Sequence, residues 1–384
     1  MATGDPLQIC SSCIYDSRVP NIDFDVDGVC NYCHQVDKLK AQYGTGAAKG
    51  NDLLDAIFVD IKRTGRGKKY DCVIGVSGGT DSSYLLSLAV ERGLRPLAAH
   101  YDNTWNSAIA TQNIRRLTAT LGVDLYTHVV DNKEVDDIKR SFLLAGVPEF
   151  DADTDIGFVQ VLRTAAAKYS IKYILEGHSF VTEGISPVGG NYLDGAYVAD
   201  IHRRYGRRRM RTFPNMPFWQ FMKWALVYRQ QFIRPLWYID YSKEDAREYL
   251  QKHMGWEYYG GHHLENRAST FAHTVWLPQR FGIDYRNLSL AASVRRHVMD
   301  RDEAIECFGK PVVPDPELIA YVCKRVGFTP QELQACMDGP RRTFRDFRTY
   351  KKRFERLRPM FRLLANANLV PMSFYLKYCF PIKS

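Results

Sequence analysis

One segment limits the fold more than any other. At VIGVSGGTDSSYLL, residues 73–86, a short apolar strand runs through a Ser- and Gly-rich loop directly into an amphipathic helix. Glycine has no Cβ, so paired glycines let the backbone approach an anion closely. Hydroxyl and amide donors at a helix N-terminus, which carries partial positive charge, complete an anion site. The alternative is a tight strand-to-helix turn with no ligand. The predicted phosphate-binding residues are Ser77, Gly78, Gly79, Thr80, Ser82 and Ser83.

Asp81 stands among these donors, although a carboxylate cannot donate a hydrogen bond to a phosphate. A carboxylate in this position makes sense if it holds Mg²⁺, a hard cation that prefers oxygen ligands and bridges phosphates. We therefore predict that Asp81 is a magnesium ligand and a catalytic residue.

Short apolar runs alternate with longer amphipathic runs from Tyr70 onward. The runs YDCVIGV, LRPLAAHYD, DLYTHVVD and KYILEGH are typical of strands, and SSYLLSLAVERG, TQNIRRLTATLG and Phe158 to Tyr169 are typical of helices. Alternation at this spacing indicates a parallel sheet built from right-handed crossovers. The predicted fold class is α/β, with ligand-binding residues at the carboxyl ends of the strands.

The loop is neither a Walker A sequence nor a G-x-G-x-x-G dinucleotide loop. It resembles the SGGxDS signature of the PP-loop ATP pyrophosphatases, which have a Rossmann-like, adenine nucleotide alpha-hydrolase-like sheet. The resemblance implies that the protein binds ATP and splits it between the α and β phosphates, moving AMP onto a carbonyl-type oxygen. It also implies an adenine and ribose pocket at the end of the second strand, HYDNTWN, with Asp102, Asn103 and Trp105 as candidates. A strand end that turns through Asp-Asn explains the same residues.

The strand KYILEGH ends on the same side of the predicted sheet. Gly177 and His178 at its end are therefore candidate ATP-binding residues. Glu183 in the following GHSFVTEG is a candidate catalytic residue that binds metal or the reacting amide. A role for Glu183 at the start of a helix is an equal alternative.

Two cysteine pairs, Cys10-x-x-Cys13 and Cys30-x-x-Cys33, are separated by sixteen residues. Two zinc knuckles at this spacing place four thiolates around one Zn²⁺. A redox C-x-x-C would require a βαβ context that this segment lacks. Because cysteines fill all four positions, the predicted zinc is structural. Metal ligation by cysteine, together with the lack of a signal-like start or a long apolar run, predicts a cytoplasmic location.

The net charge of +9 is concentrated in two segments. Arg341–Arg362 carries ten Lys and Arg against two acids, and Arg203–Arg211 carries six arginines and no acid. Arg203 and Arg204 are candidate ligands for the diphosphate of a nucleotide-linked substrate, since guanidinium forks match phosphate oxygens. The C-terminal segment has aromatic residues at helical spacing. It is either an aromatic stripe on the core with a solvated basic face, or a surface for a membrane or an acidic partner.

The chain is expected to contain three parts. Residues 1–45 form a zinc-binding module, 46–240 a PP-loop ATP-binding domain, and 241–384 a mostly helical region for substrate or partner binding. The Gly-rich stretch Tyr43–Asn51 is predicted to be a linker and hinge. A capped helix is predicted after Thr329, with Pro330 at its first position.

The opening CSSCIYDSRVPNIDFDVDGVCNYC resembles that of the N-acetyl sugar amidotransferases of bacterial surface-polysaccharide pathways. GHSFVTEG, WEYYGGHHLENRASTF, LPQRFGIDYR and RDEAIE resemble downstream blocks of the same family. The resemblance implies conversion of an acetamido group on a nucleotide-linked sugar into an acetamidino group. Adenylation would make the amide oxygen a leaving group, ammonia would replace it, and ATP would end as AMP and pyrophosphate.

The ammonia source is expected to be another protein. None of the five cysteines outside the two pairs lies in a Gly-flanked nucleophile elbow, so a glutaminase domain is not expected in this sequence. The resemblance implies a separate glutaminase pair, similar to the subunits of imidazole glycerol phosphate synthase, that docks on this chain.

The segment Tyr258–Asn266 combines two glycines, two histidines, an acid and an amide between aromatic residues, a composition suited to a sugar or ammonia site. We predict that His262, His263 and Glu265 are catalytic and that Tyr259 and Asn266 bind the substrate. The alternative is a Gly-rich loop with solvated histidines.

Two other functions fit parts of the sequence. One is a tRNA-modifying PP-loop enzyme that uses the basic segments on phosphates. The other is a non-catalytic nucleotide-binding scaffold for the glutaminase. The downstream blocks favour the sugar amidotransferase, and the cysteine pattern that tRNA thiolases use is not visible, so a nucleic-acid partner is not expected.

Overall fold

The computed structural model describes residues 7–185, 192–260 and 265–381. Its centre is a five-stranded parallel sheet in the order β3-β2-β1-β4-β5. The strands are β1 (Cys72–Gly75), β2 (Pro96–Asp102), β3 (Leu125–Val129), β4 (Tyr173–Leu175) and β5 (Gln231–Ile233). The predicted α/β class and the four predicted strands are confirmed. The strand order reverses between β1 and β4, so their carboxyl ends flank the crevice where open α/β sheets bind ligands.

Helices make up most of the remaining described chain. Two π-helical segments, Trp224–Tyr228 and Ala272–Phe281, and two 3₁₀ turns, Pro235–Trp237 and Phe344–Asp346, accompany them. The α-helices are α1 (Asn31–Tyr43), α2 (Ala48–Thr64), α3 (Thr80–Glu91), α4 (Ala108–Leu121), α5 (Asn132–Ala145), α6 (Ala152–Lys168), α7 (Phe180–Glu183), α8 (Gly195–Tyr205), α9 (Phe218–Lys223), α10 (Lys243–Met254), α11 (Arg267–Phe271), α12 (Arg286–Arg295), α13 (Arg301–Gly309), α14 (Pro316–Val326), α15 (Pro330–Asp338), α16 (Lys351–Arg356), α17 (Arg358–Asn366) and α18 (Met372–Tyr378).

Both faces of the sheet are covered, as expected for parallel strands. Successive side chains of β1 point to opposite faces. Ile74 packs in an apolar cluster with α2, α3, α4 and α10. Val73 packs in a second cluster with α6, through Leu162 and Ala166. The loop after β1 is therefore held between two packed layers.

The N-terminal module packs against the C-terminal helical region. Its cysteines share one cluster with Ala291 and Val294 of α12 and Ala304 of α13. The predicted linker Tyr43–Asn51 is a short packed turn between α1, which ends at Tyr43, and α2, which begins at Ala48, instead of a hinge. The Gly46 amide donates to the Tyr238 carbonyl at 3.3 Å, and a Cβ on Gly50 would lie 2.2 Å from that same carbonyl oxygen.

The region after residue 240 is mostly helical, as predicted. Helix α15 begins at Pro330, and Thr329 and Glu332 form the capping box of its N-terminus. The domain boundaries at 45 and 240 remain predictions. Helix α10, which follows the second boundary, packs against α3 on the sheet.

The aromatic residues of Arg341–Arg362 do not lie on one continuous helix. A 3₁₀ turn, α16 and α17 divide the segment, and Pro359 stands in the first turn of α17. Phe354 and Phe361 are nonetheless buried in a small apolar cluster with Ala225, next to α9. In the described ranges, no helix is both long and apolar enough to cross a membrane.

Candidate active site

The loop between β1 and α3 has the conformation of an anion site. Gly78 has φ +81°, and a Cβ there would lie 2.3 Å from the Ala110 carbonyl oxygen, so glycine is required. The Ser77 hydroxyl accepts from the Gly79 amide at 3.2 Å and lies 3.3 Å from the Ser82 hydroxyl. Helix α3 begins directly after Gly79. Amides and hydroxyls thus surround a helix N-terminus.

A distant part of the chain fixes this loop. The Gly78 carbonyl accepts from Trp256 Nε1 at 2.9 Å and from Asn113 Nδ2 at 3.3 Å. Asn113 also binds the backbone of Glu257 through both its amide atoms, at 2.8 and 2.9 Å. The loop conformation therefore depends on α4 and on the residues after α10.

The carboxyl ends of β1, β2 and β4 open into a cavity of about 1120 Å³. Its wall also contains residues from α6, α10, α12 and α18. The predicted site residues in the wall are Ser77, Gly79, Thr80, Asp81, Ser82, Asn103, Gly177, His178, Glu183, Tyr259, Glu265 and Asn266. The structure therefore brings together residues from the four sequence segments that were predicted to form the site, while the roles of these residues remain predictions.

A lysine lies between two of the predicted catalytic carboxylates. Lys243 Nζ, at the start of α10, lies 3.0 Å from Asp81 Oδ2 and 3.4 Å from Glu183 Oε1. The Tyr241 hydroxyl donates to the other Asp81 oxygen. We call this group the charge cluster; it consists of Asp81, Glu183, Tyr241 and Lys243.

Burial and charge act against each other in the charge cluster. Burial raises the pKa of the Asp81 carboxyl above its ordinary value, although Lys243 opposes this shift. Burial disfavours the charge of Lys243, but the carboxylates of Asp81 and Glu183 outweigh burial and raise the pKa of Lys243. The ammonium is therefore retained at neutral pH, where it can neutralise an anion beside the loop.

The end of β4 supplies a neutral histidine. Burial, and next the Arg234 charge, lower the pKa of His178 to about 4. His178 Nδ1 accepts from Trp237 Nε1 at 3.2 Å, so the neutral ring carries its proton on Nε2, which lies 3.5 Å from Glu183 Oε2. A Cβ on Gly177 would lie 2.9 Å from the backbone of Asp81, which explains how β4 and the loop pack so closely.

Tyr259 and Glu265 also lie next to the loop. An added Cβ on Gly79 would lie 3.1 Å from the Tyr259 hydroxyl and 3.3 Å from Glu265 Oε1. Asn266 Nδ2 donates to the side chains of Asn103 and Asn106, both at 3.0 Å. Its side-chain oxygen, Oδ1, accepts from backbone amides of the first turn of α11 and so caps that helix. Its structural role is thus visible in the fold. His262 and His263 lie outside the described residues.

Other predicted residues are not brought to the cavity. Trp105 is fully buried, donates to Asp136 and lies under the guanidinium of Arg325, so its indole belongs to the core. Arg203 and Arg204 both pair with Asp200, at 2.6 and 2.7 Å, because α8 places them one turn away from it. Three more predicted residues lie outside the cavity wall. Gly78 shapes the backbone of the loop, Ser83 is fully buried, and the Asp102 carboxylate accepts a hydrogen bond from the Thr104 amide.

Asp81 and Glu183 fit a magnesium ion. Their carboxylates already converge on one cation, the Lys243 ammonium, and carboxylate oxygens beside phosphate donors are the ligands that Mg²⁺ prefers. The cavity and the loop fit ATP, with the phosphates at the loop.

The four cysteines fit zinc. Sγ atoms of Cys10, Cys13, Cys30 and Cys33 lie within 4.8 Å of one another, with separations of 3.6 to 3.9 Å for three pairs. Zn–S bonds of about 2.3 Å in a tetrahedron place sulfurs about 3.8 Å apart. Arg295 donates to Cys33 Sγ at 3.3 Å and to Cys13 Sγ at 3.7 Å, which offsets the excess thiolate charge. The predicted cysteine cluster is confirmed.

Sequence reasoning missed several residues of the site. Lys243, Tyr241 and Arg247 line or support it, yet SKEDAREYLQKH looks like a solvated helix start. Asn113 and Trp256 hold the loop through contacts across 35 and 178 residues. A hint was available, since Lys243 and Arg247 are four residues apart and so share one helix face.

The sheet and the loop together indicate a class of protein. A parallel sheet with an SGGTDS loop at its switch point, facing a large cavity, is the arrangement of PP-loop enzymes that use ATP. Residues 265–358, about a quarter of the chain, match the family model "LPS biosynthesis protein WbpG-like, C-terminal domain". This part of the chain is therefore similar to the C-terminal domain of WbpG-like LPS biosynthesis proteins, in agreement with the resemblance to surface-polysaccharide enzymes seen in the sequence.

Three further similarities are weaker. An uncharacterized protein of Methanocaldococcus jannaschii is 26% identical over 171 residues, 44% of this chain and 58% of that relative's length. NMN synthetase from Francisella tularensis is similar with a TM-score of 0.32 and 14% identity, covering 72% of this chain and 92% of that one. NH3-dependent NAD synthetase from Campylobacter jejuni is similar with a TM-score of 0.30 and 13% identity, covering 76% and 98%. Scores this low add nothing to the fold described above.

Proposed function

We propose that the protein is an ATP-dependent amidotransferase that converts the acetamido group of a nucleotide-linked N-acetyl sugar into an acetamidino group. One observation carries the proposal: the WbpG-like segment begins at Glu265 and contributes Glu265 and Asn266 to the same cavity as the SGGTDS loop. At about 1120 Å³ the cavity exceeds the roughly 300–1,000 Å³ of a site for one small ligand. It has room for ATP and a second substrate together.

The proposed reaction balances in two displacements. The amide oxygen of the acetamido group attacks the α-phosphorus of ATP, and pyrophosphate leaves. Ammonia then attacks the imidate carbon, and the C–O bond breaks so that AMP leaves with the original amide oxygen. The nitrogen of ammonia remains in the amidine, and the surplus protons pass to solvent. Adenylation is needed because an amide oxygen is a poor leaving group.

Residues of the loop and the charge cluster would assist the first displacement. The Gly79 amide and the hydroxyls of Ser77 and Ser82 would hold the departing pyrophosphate at the N-terminus of α3. The Lys243 ammonium would neutralise charge that develops on the phosphates. Mg²⁺, held by Asp81 and Glu183, would supply further neutralisation when bound.

The second displacement needs ammonia in its unprotonated form. A glutaminase partner that releases ammonia next to the cavity, as the resemblance implies, would avoid protonation in solvent. A cytoplasmic location, where ATP is available, belongs to the same proposal.

The test uses an oxygen label. The purified protein is incubated with MgATP, ammonium and UDP- or CMP-linked acetamido sugars that carry ¹⁸O in the acetamido group. Mass spectrometry then follows the sugar, AMP and pyrophosphate. The proposal expects NH in place of oxygen in the sugar and ¹⁸O in AMP. Asp81→Asn should abolish both, whereas the exposed control Asp52→Asn on α2 should not.

Two results would contradict the proposal. The first is AMP that carries no ¹⁸O while the sugar changes, because the oxygen would then have left by another route. The second is AMP release that depends on bulk tRNA and not on any sugar, which would establish the tRNA-modifying alternative.

A further inference from the structure

Two short helices near the end of the described chain form an unusual surface. Arg358, at the start of α17, lies 5.3 Å from the ring centre of Phe380, just after α18, so the two helices run antiparallel. Their inner faces, through Phe361, Leu364 and Phe374, close the apolar cluster that α9 also covers. What remains exposed is the outer face of this hairpin.

The outer face is rich in apolar side chains. Met372 and Leu376 are four residues apart, so they share one face of α18, and they are 46% and 52% exposed; Phe380, just after the helix, is 36% exposed. Leu363 on α17 is 70% exposed. Single exposed leucines are common, but a group of large apolar residues indicates a surface that binds something.

A second helix on the same apolar cluster repeats this pattern. Phe221 of α9 packs inward, on Phe361 and Phe374. Trp219, Leu226 and Val227, on α9 and the π-helical turn after it, are all more than a third exposed. This small subdomain, residues 218–229 and 350–380, therefore concentrates exposed apolar residues.

The same subdomain is strongly basic. Five cations on α16 and α17 are exposed and, among the described residues, pair with no carboxylate: Lys352, Arg353, Arg356, Arg358 and Arg362. Glu355, the acid nearest to them in sequence, pairs with Lys351 at 3.3 Å. Cations and apolar side chains thus share this subdomain, and its acid Glu355 is already paired.

We propose that the hairpin face, defined as Arg358, Arg362, Leu363, Met372, Leu376 and Phe380, docks on an anionic lipid surface. Such a surface offers both matching parts, because headgroup phosphates attract the arginines and the acyl region takes up the exposed apolar side chains. A nucleic acid would match the arginines but would leave Met372 and Leu376 in water. The inference does not depend on the reaction proposed above.

Helix α18 also contributes to the candidate active site. Lys377 and Tyr378 of α18 line the cavity, whereas Leu376 and Phe380 face outward. The stretch that contacts lipid is therefore also part of the wall of the candidate active site. Docking places that wall close to the membrane surface.

The test is co-sedimentation of the full chain with lipid vesicles. Vesicles of phosphatidylcholine alone are compared with vesicles that contain equal parts of phosphatidylglycerol, at low and at high salt. We expect binding only to the anionic vesicles, weakened by salt. Arg362→Gln should weaken it about fivefold, which corresponds to the ~1 kcal/mol of one basic residue near such a membrane. Leu376→Gln should weaken it by at least about fivefold through lost apolar contact.

Matched controls lie on α2 and α4, outside the hairpin and its apolar cluster. Val59→Gln on α2 also replaces an exposed apolar residue, and Arg115→Gln on α4 also removes an exposed arginine. Neither should change vesicle binding, and all four variants should keep the AMP formation of the parent protein without vesicles. Absence of binding to anionic vesicles overturns the proposal, as does equal loss in hairpin and control variants. Binding to tRNA that Arg362→Gln weakens and Leu376→Gln does not, without vesicle binding, would establish a nucleic-acid surface in its place.

Discussion

Lys243 is the residue whose replacement tests the candidate site most directly. Lys243→Met keeps most of the aliphatic stem and removes the ammonium that lies 3.0 and 3.4 Å from two carboxylates. Removing one partner of a fully buried ion pair costs about 3–5 kcal/mol. The side chains of Lys243, Asp81 and Glu183 retain 11%, 18% and 16% exposure. We therefore expect a smaller loss, about 2–4 kcal/mol of unfolding free energy at neutral pH, because solvent screens part of the repulsion.

The loss should depend on pH with a definite sign. Burial already raises the pKa of Asp81, and without the ammonium the nearby Glu183 carboxylate raises the pKa of Asp81 further. A carboxyl group whose pKa is higher in the folded state binds its proton more tightly there. The folded variant therefore gains stability as pH falls toward this raised pKa, and loses it again as pH rises. Lys243→Met should recover part of its stability on acidification, starting above the ordinary carboxyl pKa of about 4.

Urea unfolding, followed by tryptophan fluorescence at several pH values, measures both effects. Lys252→Met is the matched control, since Lys252 lies exposed on the same helix. Adding Asp81→Asn to Lys243→Met should restore stability, because it removes the repulsion. ATP-dependent pyrophosphate release should fall roughly 10²-fold in Lys243→Met, as for loss of one charge-stabilising group. The reasoning is refuted if Lys243→Met unfolds within about 0.5 kcal/mol of the parent at neutral pH, or if Asp81→Asn does not restore it.

Three more replacements test the loop and the zinc module. Gly78→Ala should abolish nucleotide binding and should lower the free energy of unfolding more than Gly67→Ala does. Gly67 also has positive φ, but a Cβ added there has no atom within 4 Å. Equal losses in urea unfolding would show that the loop is not close-packed. Asp81→Asn should retain its circular dichroism spectrum but lose AMP formation, and full activity would place the site elsewhere. Arg295→Met should weaken zinc binding by about 10–100-fold in chelator competition, whereas Arg296→Met should not; unchanged affinity would mean that the arginine only packs there.

Local signals made the loop and the cysteine cluster predictable. The donors of the SGGTDS loop and the strand that precedes them are contiguous, so their geometry follows from a few residues. The same is true of the four cysteines, which the structure brings within 4.8 Å. Four strands were predictable because each is apolar and bounded by turn residues. Strand β5 was not, because Gln231–Ile233 directly follows the aromatic and basic run FPNMPFWQFMKWALVYRQ, in which strand signals are sparse.

The missed residues have partners that are distant in sequence. Lys243 faces Asp81 and Glu183 across 162 and 60 residues, and no local pattern distinguishes it from a solvated lysine at a helix start. Trp105 was predicted to line the nucleotide pocket, but it does not reach the cavity. It follows a strand that does reach the site, but the chain turns at Thr104, which has positive φ, and the indole enters the core. Strand ends indicate the region of a site better than they indicate which side chains face it.

The way the zinc module is docked links two sites that share no ligand. Ile185 packs in the cluster of the four cysteines, and Leu288 on α12 lies against Gly184, so the chain that positions Glu183 is held by the module. Two ligands whose binding regions are joined in this way need not act independently. If zinc raises the affinity for nucleotide by favouring one position of α7, then nucleotide must raise the affinity for zinc by the same factor. The metal would then act as a thermodynamic effector of the nucleotide site, in addition to holding the N-terminal module together.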